Sequence, residues 1–299
     1  MDDLRRMAIF AAVVEQRSMS AAARALHMST SAVSQQVRAL ESSGGVTLLH
    51  RTTRKLALTD AGERFYAECA GMVAAARRAQ AELALSRDAP SGELRLSATV
   101  GFARHIAPAL GGLLAAHPAL TLKLLVDDAR IDLIESRIDL GVRFGVLADS
   151  SWVAKRLCSF ELMLCAAPAY LQRHGTPQRP EDLLAHQWLA LAREGNAMTL
   201  ELGNGTQTHA LRLEARITSN NQLSLQQMCA AGLGLARLAR VDVDDDLRAG
   251  RLVPVLPAWS QEPLPVWAVT PQRDAQPAKV RHAVEALHAY LLTLPGALN

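Results

Sequence analysis

Aromatic side chains are scarce in this chain, at 4% of 299 residues, so its cores must be built from aliphatic groups. Cysteine is scarcer still. Cys69, Cys158, Cys165 and Cys229 show neither the C-x-x-C spacing of zinc and redox sites nor the density of a disulfide scaffold, which fits a reducing cytoplasm. Cys69 reads as a small core residue, while a peroxide response at Cys158 or Cys165 stays open as a subsidiary redox reading. No apolar run of about 18 residues escapes interruption by a charge, and the chain opens MDDLRR, so neither membrane insertion nor export is expected.

The signatures of common catalytic classes are missing too. There is no G-x-S-x-G, no G-x-x-x-x-G-K, no H-E-x-x-H and no G-x-G-x-x-G after a strand. His282 and His288 stand six apart and do not share a helix face as a metal pair would. The acidic run Asp242, Asp244, Asp245 and Asp246 lacks the glycine and terminal glutamate of a calcium loop and reads as a solvated turn. The expectation is a binding protein with no catalytic residue, no metal and no cofactor. An enzyme would need a reactive constellation, and a secreted solute-binding protein a signal peptide; neither is found.

What is present is enough chain for two or more domains, with 49% hydrophobic and 20% charged residues, an ordinary globular balance. The charge is unevenly placed: residues 1–58 carry eight Lys or Arg against four Asp or Glu. A positive N-terminal end suits contact with phosphates. There, Leu4, Met7, Phe10, Ala11 and Val14 recur at helical spacing. Ser18 and Ser20 can cap a second helix over about 18–26, rich in alanine. Ser29, Thr30 and Ser31 can cap a third, running to Gly44. In that helix Val33, Val37 and Leu40 face a core and leave Thr30, Ser31, Ser34, Gln35 and Arg38 outward. Short side chains flanked by an amide and a guanidinium are what a major groove admits and base edges require, with Gln35 and Arg38 the expected readers. The apolar runs VTLLH and LALT then flank a turn holding Arg51, Thr53, Arg54 and Lys55, a basic wing able to rest on phosphate.

The stretch SMSAAARALHMSTSAVSQQVRALE followed by GGVTLLHRTTRKLALTDAGERF resembles the LysR-type transcriptional regulators over their whole DNA-binding module. Val37 stands for the common isoleucine, Leu49 and His50 for an aromatic and another polar residue, and Gly44 for the usual leucine. That last change removes about 1.5–3 kcal/mol of possible burial, and the Gly44-Gly45 pair is expected to loosen the end of the third helix. From Thr59 to about Arg87 a long helix is expected, with Phe65, Cys69, Met72, Ala76, Ala79 and Leu83 at heptad spacing, a seam that agrees with pairing to a second copy.

After the linker DAPSG, strand and helix patterns alternate as parallel α/β folds require: strands at ELRLSATV, TLKLLVDD, DLGVRFG, VAKRL, LMLCAAP, LVPVL and LPVWAVT, and helices at GFARHIAPALGGLLAAHP, ARIDLIESRI, SLQQMCAAGLG and PAKVRHAVEALHAYLLTL. The stretches DLGVRFGVLADSSWVAKRL and LCAAPAYLQRHGTPQRPEDLLAHQWL also resemble the LysR-type family, and GLGLARLARVD departs from it by lacking a proline, so the backbone at 237–240 is expected to differ. The resemblance implies an α/β fold: an N-terminal winged helix-turn-helix (1–58), a linker and dimerisation helix (59–88), a hinge (89–92) and a two-lobed α/β effector domain (93–299) similar to type 2 periplasmic binding proteins. Its first lobe would take about 93–163 and 266–299, its second about 164–265. Ligands of such sheets sit beyond the carboxyl ends of strands, often on helix N-termini. That rule selects Thr99, Val100, Gly101, Phe102, Arg104, Asp128, Phe144, Ser219, Asn220 and Asn221. The implied partners are double-stranded DNA carrying an inverted-repeat operator, a small-molecule effector, a second copy or a tetramer of this chain, and RNA polymerase, all in the cytoplasm and with no membrane.

Overall fold

The computed structural model describes residues 2–51, 56–129, 132–133, 135–147, 152–191, 196–271 and 276–299, with the Arg51 side chain excepted. They divide into two compact units, Met1–Leu85 and Ser86–Asn299.

The first unit opens with α1 (Asp2–Glu15), α2 (Met19–Ala25) and α3 (Thr30–Gly44). Hydroxyls start the second and third helices: Ser18 Oγ accepts from Ala21 N–H at 3.3 Å and Ser29 Oγ from Ala32 N–H at 3.1 Å. Phe10, Val13, Val33 and Val37 are fully buried together, with Leu40 beside them. Leu4, expected on the same stripe, is instead 56% exposed, because it precedes the part of α1 that the other helices cover. Gly44 and Gly45 do not loosen α3. Gly45 adopts a left-handed φ of 63° as its cap, and Val46 N–H reaches back to Glu41 O at 3.2 Å.

Two short strands follow, β1 (Leu49–Arg51) and β2 (Leu56–Leu58), paired antiparallel with Leu49 opposite Leu58. The basic turn expected at Thr53, Arg54 and Lys55 lies outside the described residues. Glu41 Oε1 accepts from both Leu48 N–H (2.9 Å) and Leu49 N–H (3.1 Å), tying the base of the wing to α3. Next, α4 (Asp60–Asp88) packs Phe65, Tyr66, Cys69 and Val73 on the unit's core. Further along the heptad seam, Ala76, Ala79 and Leu83 are exposed, Leu83 by 73%.

The second unit holds two six-stranded sheets. Its elements run β3 (Gly92–Ala98), α5 (Ala103–Ala116), β4 (Leu120–Val126), β5 (Leu140–Phe144), β6 (Val153–Phe160), β7 (Leu162–Ala166), α6 (Pro168–His174), β8 (Trp188–Leu191), β9 (Ala197–Gly203), β10 (Thr208–Ser219), α7 (Gln222–Ala230), β11 (Leu235–Ala239), α8 (Arg240–Arg248), β12 (Val253–Val255), β13 (Leu264–Thr270), α9 (Ala278–Leu291) and β14 (Ala297–Leu298). The first lobe's sheet has the order β14-β6-β13-β5-β3-β4 and the second's β12-β7-β11-β8-β10-β9. Each is mixed: β3 lies parallel to β4 and β5, and β8 to β10 and β11, but β13, β7 and β9 run against their neighbours. The chain passes between sheets twice, at Glu161 and between β12 and β13.

Two expectations fail here. The described residues of 129–138 form turns, with Ile138 N–H bonded to Leu133 O at 2.8 Å, where a helix was expected; residues 130, 131 and 134 lie outside the described set. The acidic run after β11 is helical, in α8, with Asp246 buried against Arg251 Nε (2.6 Å) and Gln226 Nε2 (2.7 Å). The stretch expected to depart from the family over 237–240 runs directly from β11 into α8.

Candidate DNA-binding and effector sites

In the first unit the outer side of α3 exposes Thr30, Ser31, Gln35 and Arg38, with Ser34 half-buried beside them. Ser31 Oγ lies 3.0 Å from the capping Ser29 Oγ, so the helix start presents a short hydroxyl cluster. Ser20 is exposed on α2, and Ser18, half-buried, is occupied as its cap. The side chains of Arg51, Thr53, Arg54 and Lys55 fall outside the described residues. Helix three therefore stands on buried valines and offers hydroxyl, amide and guanidinium groups outward, the kinds of group that major-groove readout uses.

In the second unit, strand ends from both sheets converge. Asp128, just after β4, accepts from Val100 N–H at 3.1 Å and from Asn221 Nδ2 at 2.5 Å, linking the first lobe to the loop that opens α7 in the second. Asn221 is itself fixed: its Oδ1 caps α7 at Ser224 N–H (2.8 Å), and its N–H donates to Ser219 Oγ (3.1 Å). Thr99 and Gly101 are half-buried at this edge, and Val100 and Asn220 are exposed. Phe102 is in the core, its ring 5.3 Å from that of the half-buried Phe144 in an edge-on contact. Arg104 turns across to the second lobe, donating from Nη2 to Val241 O (3.0 Å) and Asp242 Oδ1 (2.9 Å).

Residues the sequence did not single out hold this arrangement. His105 Nε2 accepts from Arg104 Nε at 3.1 Å, which places its proton on Nδ1, facing the Tyr290 hydroxyl at 3.3 Å. Burial, with the Arg104 charge adding to it, pushes His105 from an ordinary 6.5 down to about 4. Burial likewise pushes Asp242 up to about 6, opposed by Arg104. Arg143 reaches under β3 to Ser97 Oγ (3.0 Å), its desolvation lowering its pKa. Arg143 falls inside the family-like stretch DLGVRFG, but a half-buried guanidinium leaves no periodic signal.

The His105 geometry has a measurable consequence. Between pH 6.5 and 4 the unfolded chain binds the histidine proton and the folded chain does not, so this residue's contribution to stability is complete above pH 6.5 and is lost as pH falls toward 4. Asp242 acts with the opposite sign between 3.8 and 6, where the folded chain holds its proton. Melting temperatures across this range are therefore expected to fall less steeply on acidification in His105→Gln than in the native chain. Superimposable slopes would remove histidine from the account.

The four cysteines are buried and free. Cys158 and Cys165 lie in different sheets. Cys229 Sγ–H donates to Cys165 O at 3.3 Å, and burial pushes both thiols up to about 12 and Cys158 to about 11. Such groups stay protonated at neutral pH.

A helix-turn-helix with a wing, continued by a long helix into a two-lobed α/β unit, defines a ligand-responsive transcriptional regulator. Residues 4–63 match the bacterial regulatory helix-turn-helix proteins of the lysR family, and residues 87–292 match the LysR substrate binding domain. The chain belongs to the LysR family: it is a LysR-type transcriptional regulator, a class that binds DNA and responds to a small-molecule effector. It is 34% identical to the HTH-type transcriptional activator AaeR of Escherichia coli K12 over 294 residues, which are 98% of this chain and 95% of that protein. It is 35% identical to the HTH-type transcriptional regulator DmlR of the same organism over 292 residues, 97% of this chain and 94% of DmlR. Among solved structures, the full-length Vibrio cholerae virulence activator AphB superposes with a TM-score of 0.75 at 28% identity, over 96% of this chain and 99% of AphB. No described helix is long and apolar enough to cross a membrane.

Proposed function

We propose that this regulator binds an inverted-repeat operator as a homodimer or homotetramer in the cytoplasm. Gln35 and Arg38 read base edges, Ser18, Ser20, Thr30, Ser31 and Ser34 help position α3 on the backbone, and Arg51, Thr53, Arg54 and Lys55 of the wing hold phosphates. In this reading residues 1–58 are the DNA-binding domain, 59–88 the dimerisation helix and 89–92 the hinge. The effector sits between the lobes, against Thr99–Phe102, Arg104, Asp128, Phe144 and Ser219–Asn221, and a contact with RNA polymerase transmits the response. The family's known relatives are regulators rather than enzymes, and the reading assigns no catalytic residue and no cofactor.

The observation that carries the effector site is the hydrogen bond that Asn221 donates to Asp128. It joins the two lobes through groups that an effector's own polar atoms can replace, so that ligand binding changes how the lobes are held and, through α4, how recognition helices are spaced on DNA. The test is selection of genomic fragments by the purified protein at physiological salt, beside a truncation lacking residues 1–58. Enrichment of an inverted repeat by the intact chain alone is expected, and the neighbouring genes would point to the effector. Equal enrichment by the truncation, or none by the intact chain even with candidate metabolites added, would overturn the reading.

A further inference from the structure

The second lobe carries a pocket of about 290 Å³ at the end of its sheet away from the inter-lobe site. Gln187 lines it just before β8 and Gly232 shortly before β11, whereas Ser219 and Asn221 follow the far end of β10, which runs parallel to β8. From Arg216, also in the pocket, to Ser219 the strand advances about 10 Å. The remaining walls are Tyr170, Arg173 and His174 of α6.

Arg173 is held in place and makes no ion pair among the described residues. Its Nε donates to Ala169 O at 3.1 Å and its Nη2 to Gly232 O at 2.8 Å, both uncharged carbonyls. Gly232 makes that approach possible: at its φ of +77° a side chain would be strained, and a Cβ there would stand 3.3 Å from Arg173 Nη2. Tyr170 stacks on the His174 ring with centroids 4.5 Å apart, and its hydroxyl accepts from Gln187 N–H at 2.9 Å. Arg216 faces the same space and is paired with no carboxylate among the described residues. No carboxylate is among the described residues lining the pocket. Two guanidinium groups, one fixed in place, thus face an open pocket of small-molecule size whose described lining includes no carboxylate.

We propose that this pocket binds a small oxyanion bearing at least two negative charges, a di- or tricarboxylate or a phosphate, at a site separate from the inter-lobe effector site. Planar guanidinium forks match carboxylate and phosphate oxygens two at a time, which favours such a ligand over a monovalent or uncharged one.

The test is calorimetry on the full chain in physiological salt, with citrate and inorganic phosphate as separate probes. One saturable site per chain is expected for at least one probe, and which one binds tells carboxylate from phosphate. Arg216→Ala, at an exposed position and with its far-ultraviolet spectrum checked, is expected to weaken that affinity tenfold or more, and Arg216→Lys to retain part of it. Asn221→Ala, in the inter-lobe site, is expected to leave it unchanged. Absence of saturable binding by either probe, undiminished affinity in Arg216→Ala, or loss in Asn221→Ala would each overturn the proposal.

Discussion

Gly62→Ala is expected to unfold the DNA-binding unit at temperatures where the native chain is intact. A Cβ on Gly62 would lie 2.1 Å from Leu48 O and 3.0 Å from its carbonyl carbon. That carbonyl cannot retreat, because it accepts from Thr59 N–H at 3.0 Å, while Thr59 Oγ1 donates to Thr47 O (2.8 Å) and accepts from Gly62 N–H (2.9 Å). The start of α4 and the foot of the wing are one hydrogen-bonded knot, and a methyl group inside it must force backbone apart. Overpacking typically costs about 1–3 kcal/mol, and a contact this short against fixed backbone belongs at the top of that range, about 3 kcal/mol. In a unit of 85 residues that lowers the melting temperature by roughly 12–24 °C. Circular dichroism melting of the full chain, paired with operator binding at 37 °C, measures it; a melting temperature within two or so degrees of the native one would refute the knot.

Arg38→Ala is expected to weaken binding to the selected operator by about 1–3 kcal/mol while leaving affinity for scrambled duplex almost unaltered, provided the guanidinium makes a bidentate base contact. Arg38 is exposed, so its removal should not disturb the valines beneath it. Arg54→Ala provides the contrast: on the proposed reading, in which its guanidinium holds a phosphate, its loss is expected to weaken every sequence alike and to flatten the salt dependence. Fluorescence anisotropy on both duplexes over a range of salt separates the two roles. Equal losses on every sequence for both variants would defeat the division of labour between helix and wing.

The parts of this chain that could be read before folding are those whose cause is local. Ser18 and Ser29 cap helices because a hydroxyl meets a free N–H three residues on, and Val33, Val37 and Leu40 lie on one face by helical spacing alone. The gathering of Thr99, Asp128 and Ser219–Asn221 followed from a general property of strand ends. What could not be read was non-local or competing. Arg104 and Asp242 meet across 138 residues, so no window contains both. The acidic run resembled a turn because its charges hid the burial of Asp246, which Arg251 and Gln226 make tolerable. The antiparallel course of β13 was likewise invisible, since an apolar strand carries no mark of its direction. The Gly44-Gly45 pair was misjudged for a different reason: the same freedom that weakens a helix interior makes a good cap one residue later.

The double passage between sheets also decides the order in which a nascent chain can become a sensor. The strand β13 sits between β5 and β6 in the first lobe's sheet, yet it is made after the whole of the second lobe. While the ribosome works through residues 162–263, β5 waits with one edge unpaired and β6, whose neighbours β13 and β14 are both made later, with two, the state most exposed to mispairing with another chain. The DNA-binding unit and every strand of the second sheet are complete before the first sheet closes. A message truncated near residue 260 would therefore yield a protein able to fold its DNA-binding end and most of its second lobe, but left with two open strands where its sensor should close.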